Sequence, residues 1–291
     1  MAETLQTKLE NGVFTVSLAR PDVRNAFNDA MIMELKNIFE EITKDSKIRA
    51  VVLCGEGKVF CAGGDLEWMK NSIELSPQEN LEETRKLAQM FYTLNSCPKP
   101  VIGLIHGAAI GGGVGLVSIC DYVLCSKETV FSLSEVRLGI IPACIGPFVL
   151  AKIGESYARA FFMSSQRFTA LQAFQMGLVH QVVESPEDLE KNFNPLLQNL
   201  RQCGPNALAA AKSLIQNLQQ LAFPQSLDYA AKCLADIRTT PEGQEGVKAF
   251  LEKRKPAWIV EGACPAGERT GSAGDKLESK GDKLESKGNK I

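Results

Sequence analysis

Over its first 185 residues the chain alternates short β-branched runs with amphipathic stretches at helical spacing, and this alternation constrains the fold more than any other feature. Residues 13–19, 50–54, 101–105 and 122–125 read as strands. Between the first two, Met31, Ile32, Leu35, Ile38, Phe39 and Ile42 recur at helical spacing and predict a helix. A second helix is expected to open at Ser76, with Pro77 at its first position, Glu79 completing a capping box, and Leu87, Phe91 and Leu94 as its core face. Repeated strand–helix units imply parallel pairing and an α/β core, here assigned to residues 1–185.

From about residue 186 the strand signal fades, and residues 188–203, 205–221, 226–237 and 241–255 read as successive helices. Such a region, 186–260, can cover the core or pack against another subunit. Beyond it, residues 261–291 turn to Gly, Lys, Glu and Ser, and the heptapeptide GDKLESK at 274–280 repeats at 281–287. With almost nothing to bury, this segment is expected to be a disordered tail.

Charge and composition limit the partners. A formal net charge of −2 provides no field for nucleic acid or an anionic membrane. The first residues lack the apolar core of a secretory signal, and no run of 18 apolar residues occurs; the longest approach to one, residues 101–117, is broken by six glycines and a histidine. Nine cysteines without C-x-x-C pairs read as reduced, buried small hydrophobes, so the expected compartment is the cytoplasm. The expected partner is a small molecule.

Two stretches concentrate glycine where a site could form. Residues 60–66 (Phe-Cys-Ala-Gly-Gly-Asp-Leu) follow the strand at 50–54, and residues 107–115 (Gly-Ala-Ala-Ile-Gly-Gly-Gly-Val-Gly) lie between the strand at 101–105 and a short apolar helix. Glycine allows a ligand to approach the backbone, and a helix N-terminus adds unpaired N–H donors, so two such loops could share one developing oxyanion. Tight turns and close helix–strand packing are the alternative use of the same glycines. No G-x-x-x-x-G-K-[ST] is present, and no proper G-x-G-x-x-G follows a strand, which argues against a P-loop or a dinucleotide.

Glu135, in Ser134-Glu135-Val136-Arg137-Leu138-Gly139, sits among mostly apolar neighbours, where burial would raise its pKa toward the range of a general base. A structural ion pair with Arg137 is the competing reading. Only His106 and His180 are available, so no histidine-rich metal site is expected, and a serine triad lacks its G-x-S-x-G elbow. Cys61 with His106 is the one thiol–base pairing open to consideration, against simple packing of Cys61 beside its loop.

Taken together these pieces resemble the crotonase, or enoyl-CoA hydratase/isomerase, family over residues 3–258. Arg20-Pro21 with Asn25-Ala26-Phe27 is similar to its R-P-x-x-x-N-A pattern; Ala62-Gly63-Gly64-Asp65-Leu66 to its A-G-x-D loop; Gly111-Gly112-Gly113, then Cys120-Asp121, to its glycine triplet; and residues 131–142 to its glutamate-bearing segment. The resemblance implies a spiral of ββα units with a helical C-terminal region, assembled as a trimer or hexamer. It implies an oxyanion hole from the backbone amides of Gly64 and Gly112, Glu135 as acid/base, and contacts to CoA or acyl chain from Arg24, Ala62, Asp65, Leu66, Phe250 and Lys253. No cofactor is implied, since CoA belongs to the substrate.

One departure matters. Members with two catalytic carboxylates carry a glutamate where this chain has Gly115. The wording around Gly111–Leu116 and Ser134–Ala143 resembles a bacterial subgroup of methylglutaconyl-CoA and carboxygeranoyl-CoA hydratases, which makes hydration of 3-methylglutaconyl-CoA the favoured expectation. A Δ3,Δ2-enoyl-CoA isomerase with one shuttling base is the second reading, and a non-catalytic acyl-CoA- or RNA-binding member the third.

Overall fold

Nine strands lie among the described residues, 4–259, of the computed structural model: β1 (Leu5–Glu10), β2 (Val13–Leu18), β3 (Ala50–Gly55), β4 (Val101–Ile105), β5 (Ala108–Ile110), β6 (Tyr122–Ser126), β7 (Val130–Ser132), β8 (Phe168–Thr169) and β9 (Gln181–Val183). Ten α-helices accompany them: α1 (Asp29–Lys44), α2 (Leu66–Ile73), α3 (Pro77–Asn95), α4 (Gly112–Ile119), α5 (Gly146–Ser164), α6 (Ala170–Gln175), α7 (Asp188–Gln202), α8 (Pro205–Leu218), α9 (Phe223–Thr239) and α10 (Pro241–Leu251).

Six strands form one sheet in the order β1-β2-β3-β4-β6-β9, parallel throughout except for the β1–β2 hairpin. A smaller sheet has the order β5-β7-β8. The succession β4, β5, α4 is thus a ββα turn with its first strand in the large sheet and its second in the small one, the spiral architecture that the motifs implied.

At the centre of the large sheet both faces are buried, which is why β3 and β4 read as unbroken apolar runs, whereas the edge strand β1 is mostly exposed. Along β3, Val51 and Leu53 join the main core with Phe39 and Phe91, while Ala50 and Val52 face Leu189, Phe193 and Leu197 of α7. The helical region therefore continues the core, and residues up to Ile259 form one compact unit. A 2.7 Å ion pair from Lys212 on α8 to Asp121 at the end of α4 ties it down further.

Local signals start two of the helices, α3 where expected, whereas the helix read over 226–237 begins earlier, at Phe223. Asn28 caps α1 by accepting the Met31 N–H, and Ser76 and Glu79 form the reciprocal box at α3. Among the described residues no helix is long and apolar enough to cross a membrane. The tail expected at 261–291 lies outside the described residues.

Candidate active site

The two glycine-rich stretches meet through a short parallel bridge between Cys61 and Ala109, because the second is only partly a loop: residues 108–110 are strand β5, and Gly111, at φ 52°, turns the chain into α4. The Cys61 N–H donates to Ala108 O (3.1 Å), and the Ile110 N–H donates to Cys61 O (2.9 Å). Beside this bridge, Phe27 N–H donates to Gly63 O (2.7 Å) and Asp65 N–H donates to Phe27 O (2.8 Å). Glycine is obligatory at the contact: a Cβ on Gly112 would lie 2.7 Å from the Phe27 ring, and one on Gly113 2.6 Å from Cys61 O.

These bonds set two amides free. In a planar trans peptide the N–H points opposite to the C=O of the same unit. Since Gly63 O faces Phe27, the Gly64 N–H faces away from it; since Gly111 O accepts from Val114 (2.9 Å) and Gly115 (3.3 Å), the Gly112 N–H points out of the first turn of α4. Neither amide donates a hydrogen bond to any described residue, and both glycines line one cavity of about 510 Å³. The helix dipole adds partial positive charge at Gly112.

Glu135 enters the same cavity from a 3₁₀ turn that follows β7. A Cβ placed on Gly111 would lie 3.0 Å from Glu135 Oε1, so the carboxylate rests against the glycine triplet. Its Oε2 is buried without a hydrogen-bond partner. Burial raises the pKa of this carboxyl, only partly offset by its own backbone N–H. The competing ion pair does not form: Arg137 Nη2 instead donates to Ser165 O at 3.1 Å. The remaining walls are largely apolar, with Trp68 and Met69 from α2, Leu87 and Phe91 from α3, and Ile141 and Ile145 from the segment before α5.

Position 115 is closed to a side chain. A Cβ on Gly115 would stand 2.9 Å from both Ile145 Cβ and Phe91 Cε1, and closer still to Ile145 Cγ2. The volume a second carboxylate would occupy holds these two apolar side chains instead.

The other candidates separate clearly. Ala62 lines the cavity together with Gly64, Gly112 and Glu135. Asp65 does not: its carboxylate turns inward to Arg20 Nη2 (2.8 Å) and caps α2 by accepting the Glu67 N–H (2.9 Å). Leu66 points to solvent at 81% exposure, and Arg24 is an exposed residue whose carbonyl accepts the Ala62 N–H. Phe250, equally exposed, and Lys253 lie at the end of α10 and line no part of the cavity within one chain. The pairing of Cys61 with His106 fails, since burial pushes the Cys61 thiol up to about 12 and His106 Nε2 sits 2.9 Å from Gly57 O.

Some wall residues escaped the sequence reading. Asn80, Glu83 and Thr84 line the cavity one to two turns before Leu87 on the same stripe of α3. Their spacing with Leu87 and Phe91 was the available signal, but a polar stripe at helical period reads equally as a solvated face.

Unpaired amides beside a desolvated carboxylate, in an apolar cavity on this spiral fold, can hold negative charge on a carbonyl oxygen while a proton moves at a neighbouring carbon. The chain belongs to the enoyl-CoA hydratase/isomerase family, whose model matches residues 8–261. It is 34% identical to the 2,3-dehydroadipyl-CoA hydratase of Escherichia coli over 88% of this chain and 98% of that protein. It is 33% identical to the mitochondrial Delta(3,5)-Delta(2,4)-dienoyl-CoA isomerase of mouse, over 87% and 80% respectively. Among solved structures, an enoyl-CoA hydratase/isomerase from Marinobacter aquaeolei superimposes with a TM-score of 0.84 at 38% identity, covering 89% of this chain and all of that one.

Proposed function

We propose that this chain hydrates a 2-enoyl-CoA thioester with Glu135 as its only catalytic carboxylate. The observation that carries the reading is the unpartnered Oε2 of Glu135 in a cavity shared with the free amides of Gly64 and Gly112. Glu135 takes a proton from water as the water oxygen bonds to C3. The C2=C3 pair moves onto the thioester as an enolate, whose oxygen the two amides hold, and protonated Glu135 returns the proton to C2. Atoms balance without a further cofactor.

The walls support a reading of the substrate class. 3-Methylglutaconyl-CoA, the substrate suggested by resemblance, carries a free carboxylate at the far end of its acyl chain. Within one chain, the described residues that line the cavity include the carboxylates of Glu83 and Glu135 and no lysine, arginine or histidine. An uncharged enoyl tail therefore fits this cavity better. A trimer or hexamer is part of the proposal, supported by the exposed Phe223, Phe250 and Leu251.

The filled position at Gly115 favours one second reading, Δ3,Δ2 isomerisation with Glu135 carrying the proton between C2 and C4. Turnover of purified protein in ¹⁸O-water distinguishes the two: hydration places the label on C3, isomerisation places none. Replacing Glu135 with Gln should lower kcat by roughly 10²- to 10⁴-fold, the usual contribution of a positioned acid/base. Hydration that survives the substitution would remove Glu135 from the mechanism.

A further inference from the structure

The R-P-x-x-x-N-A segment contributes Phe27 to the cavity wall, but its Arg20 and Asn25 have no part in the chemistry above. They are nonetheless unusually well held. Asn25 is fully buried at φ 56°, with its Oδ1 accepting the Arg20 N–H (2.9 Å) and its Nδ2 donating to Glu56 O (2.8 Å) and Val59 O (2.9 Å). Arg20 in turn spans two segments: Nη1 donates to Ala26 O (2.6 Å) and Nη2 to Asp65 Oδ2 (2.8 Å).

The far end of that ion pair adjoins a candidate oxyanion donor. Residues 24–27 bond to the 61–66 loop on both sides of Gly64, through Ala62 N–H to Arg24 O (3.0 Å), Phe27 N–H to Gly63 O, and Asp65 N–H to Phe27 O. The Phe27–Gly63 bond fixes the plane of the peptide whose N–H belongs to Gly64. It also polarises that amide, because an accepting carbonyl makes its own N–H a better donor. The Arg20–Asp65 pair closes the loop around this arrangement. Desolvation opposes ionisation of Asp65, yet its bonds from Arg20 and the Glu67 N–H hold the carboxyl below the usual range. Both side chains are mostly shielded from solvent, so water does not readily substitute for either.

We propose that Arg20 and Asp65 are positioning residues that aim the Gly64 N–H at the substrate carbonyl, touching no substrate themselves. The inference rests on Gly64 being an oxyanion donor. It also gives Asp65 a role other than contact with ligand.

The test uses full-length protein with ¹³C-carbonyl butyryl-CoA, a saturated thioester that binds without turning over, and reads the bound C=O stretch by difference infrared spectroscopy. Wild type should shift the band to lower frequency, reporting polarisation. Asp65→Ala should lose a large part of that shift and lower kcat at least about tenfold, a fraction of the 10²–10³ lost when an oxyanion donor is removed outright, with KM changed much less. Asp65→Asn, which can still accept from Arg20 and cap α2, should restore most of both. Arg20→Gln keeps the cap on α2 and provides the same measurement if Asp65→Ala does not fold. A merely structural role would lower thermal stability and leave the bound carbonyl frequency unmoved. An unmoved frequency in folded Asp65→Ala or Arg20→Gln overturns the proposal. No shift in wild type overturns instead the oxyanion role of Gly64 on which it rests.

Discussion

Gly115→Ala is the most direct probe of why no side chain stands at position 115. Gly115 lies inside α4, so on propensity alone alanine would stabilise by about 1 kcal/mol. Packing opposes this. The new methyl would stand 2.9 Å from Ile145 Cβ and Phe91 Cε1, and both neighbours are almost wholly buried, at 3% and 0% exposure, with no solvent to swing into. Overpacking of this kind costs typically 1–3 kcal/mol, and the short contacts place it at the upper end, so net destabilisation should be about 1–2 kcal/mol. Ile145→Ala alone should cost about 2–5 kcal/mol through the void it leaves. The two changes should compensate, with a favourable coupling of at least about 1 kcal/mol when combined, because the added methyl enters space that Ile145 vacates. Urea unfolding at fixed protein concentration measures all four corners of the cycle. A Gly115→Ala variant as stable as wild type, or a strictly additive double variant, would refute the claim that apolar packing closes this position. If the claim holds, Gly115→Glu cannot install a working second carboxylate while Ile145 and Phe91 stay in place.

Three further outcomes follow from burial of titratable groups at and beside the site. Because burial raises the Glu135 pKa above its ordinary 4.5, the neutral form is the better tolerated in the folded state. Its stabilisation is present below the unfolded pKa and is lost as pH rises through the folded value; Glu135→Gln should therefore have a higher Tm than wild type at neutral pH, with the difference vanishing in acid, and equal melting curves at both would contradict it. The same raised pKa should move the acid limb of kcat/KM above that of a free glutamate, since the proposed base must be ionised. Cys61, fully buried with its thiol pushed up to about 12, should resist iodoacetamide in folded protein while exposed Cys203 is alkylated; comparable labelling of both, mapped by mass spectrometry, would show that the loop opens.

Legibility in the sequence tracked the range of the interaction. The capping box at Ser76 and Glu79 closes within four residues, and α3 begins at Pro77 as expected. The central strands of the large sheet, β2, β3, β4 and β6, are visible as apolar runs; the edge strand β1 (LQTKLE), mostly exposed, offers no such run, and β5, β7, β8 and β9, two or three residues each, carry no period to detect. Glycine at 112 and 113 was visible as density, while its cause, contact with Phe27 and Cys61, was not.

By itself the sequence determined where backbone could come close to a ligand and offered Glu135 as a candidate carboxylate, because a glycine or a glutamate is a property of one position. Only the tertiary structure decided which polar groups are taken and which are free. Arg137 could have neutralised Glu135 two residues away but is drawn to Ser165, and Asp65 is turned from the cavity by Arg20, 45 residues earlier. Gly115 likewise became a closed position through Ile145, 30 residues later. Pairing and packing of this kind depend on which distant segments folding brings together, and no local pattern encodes that.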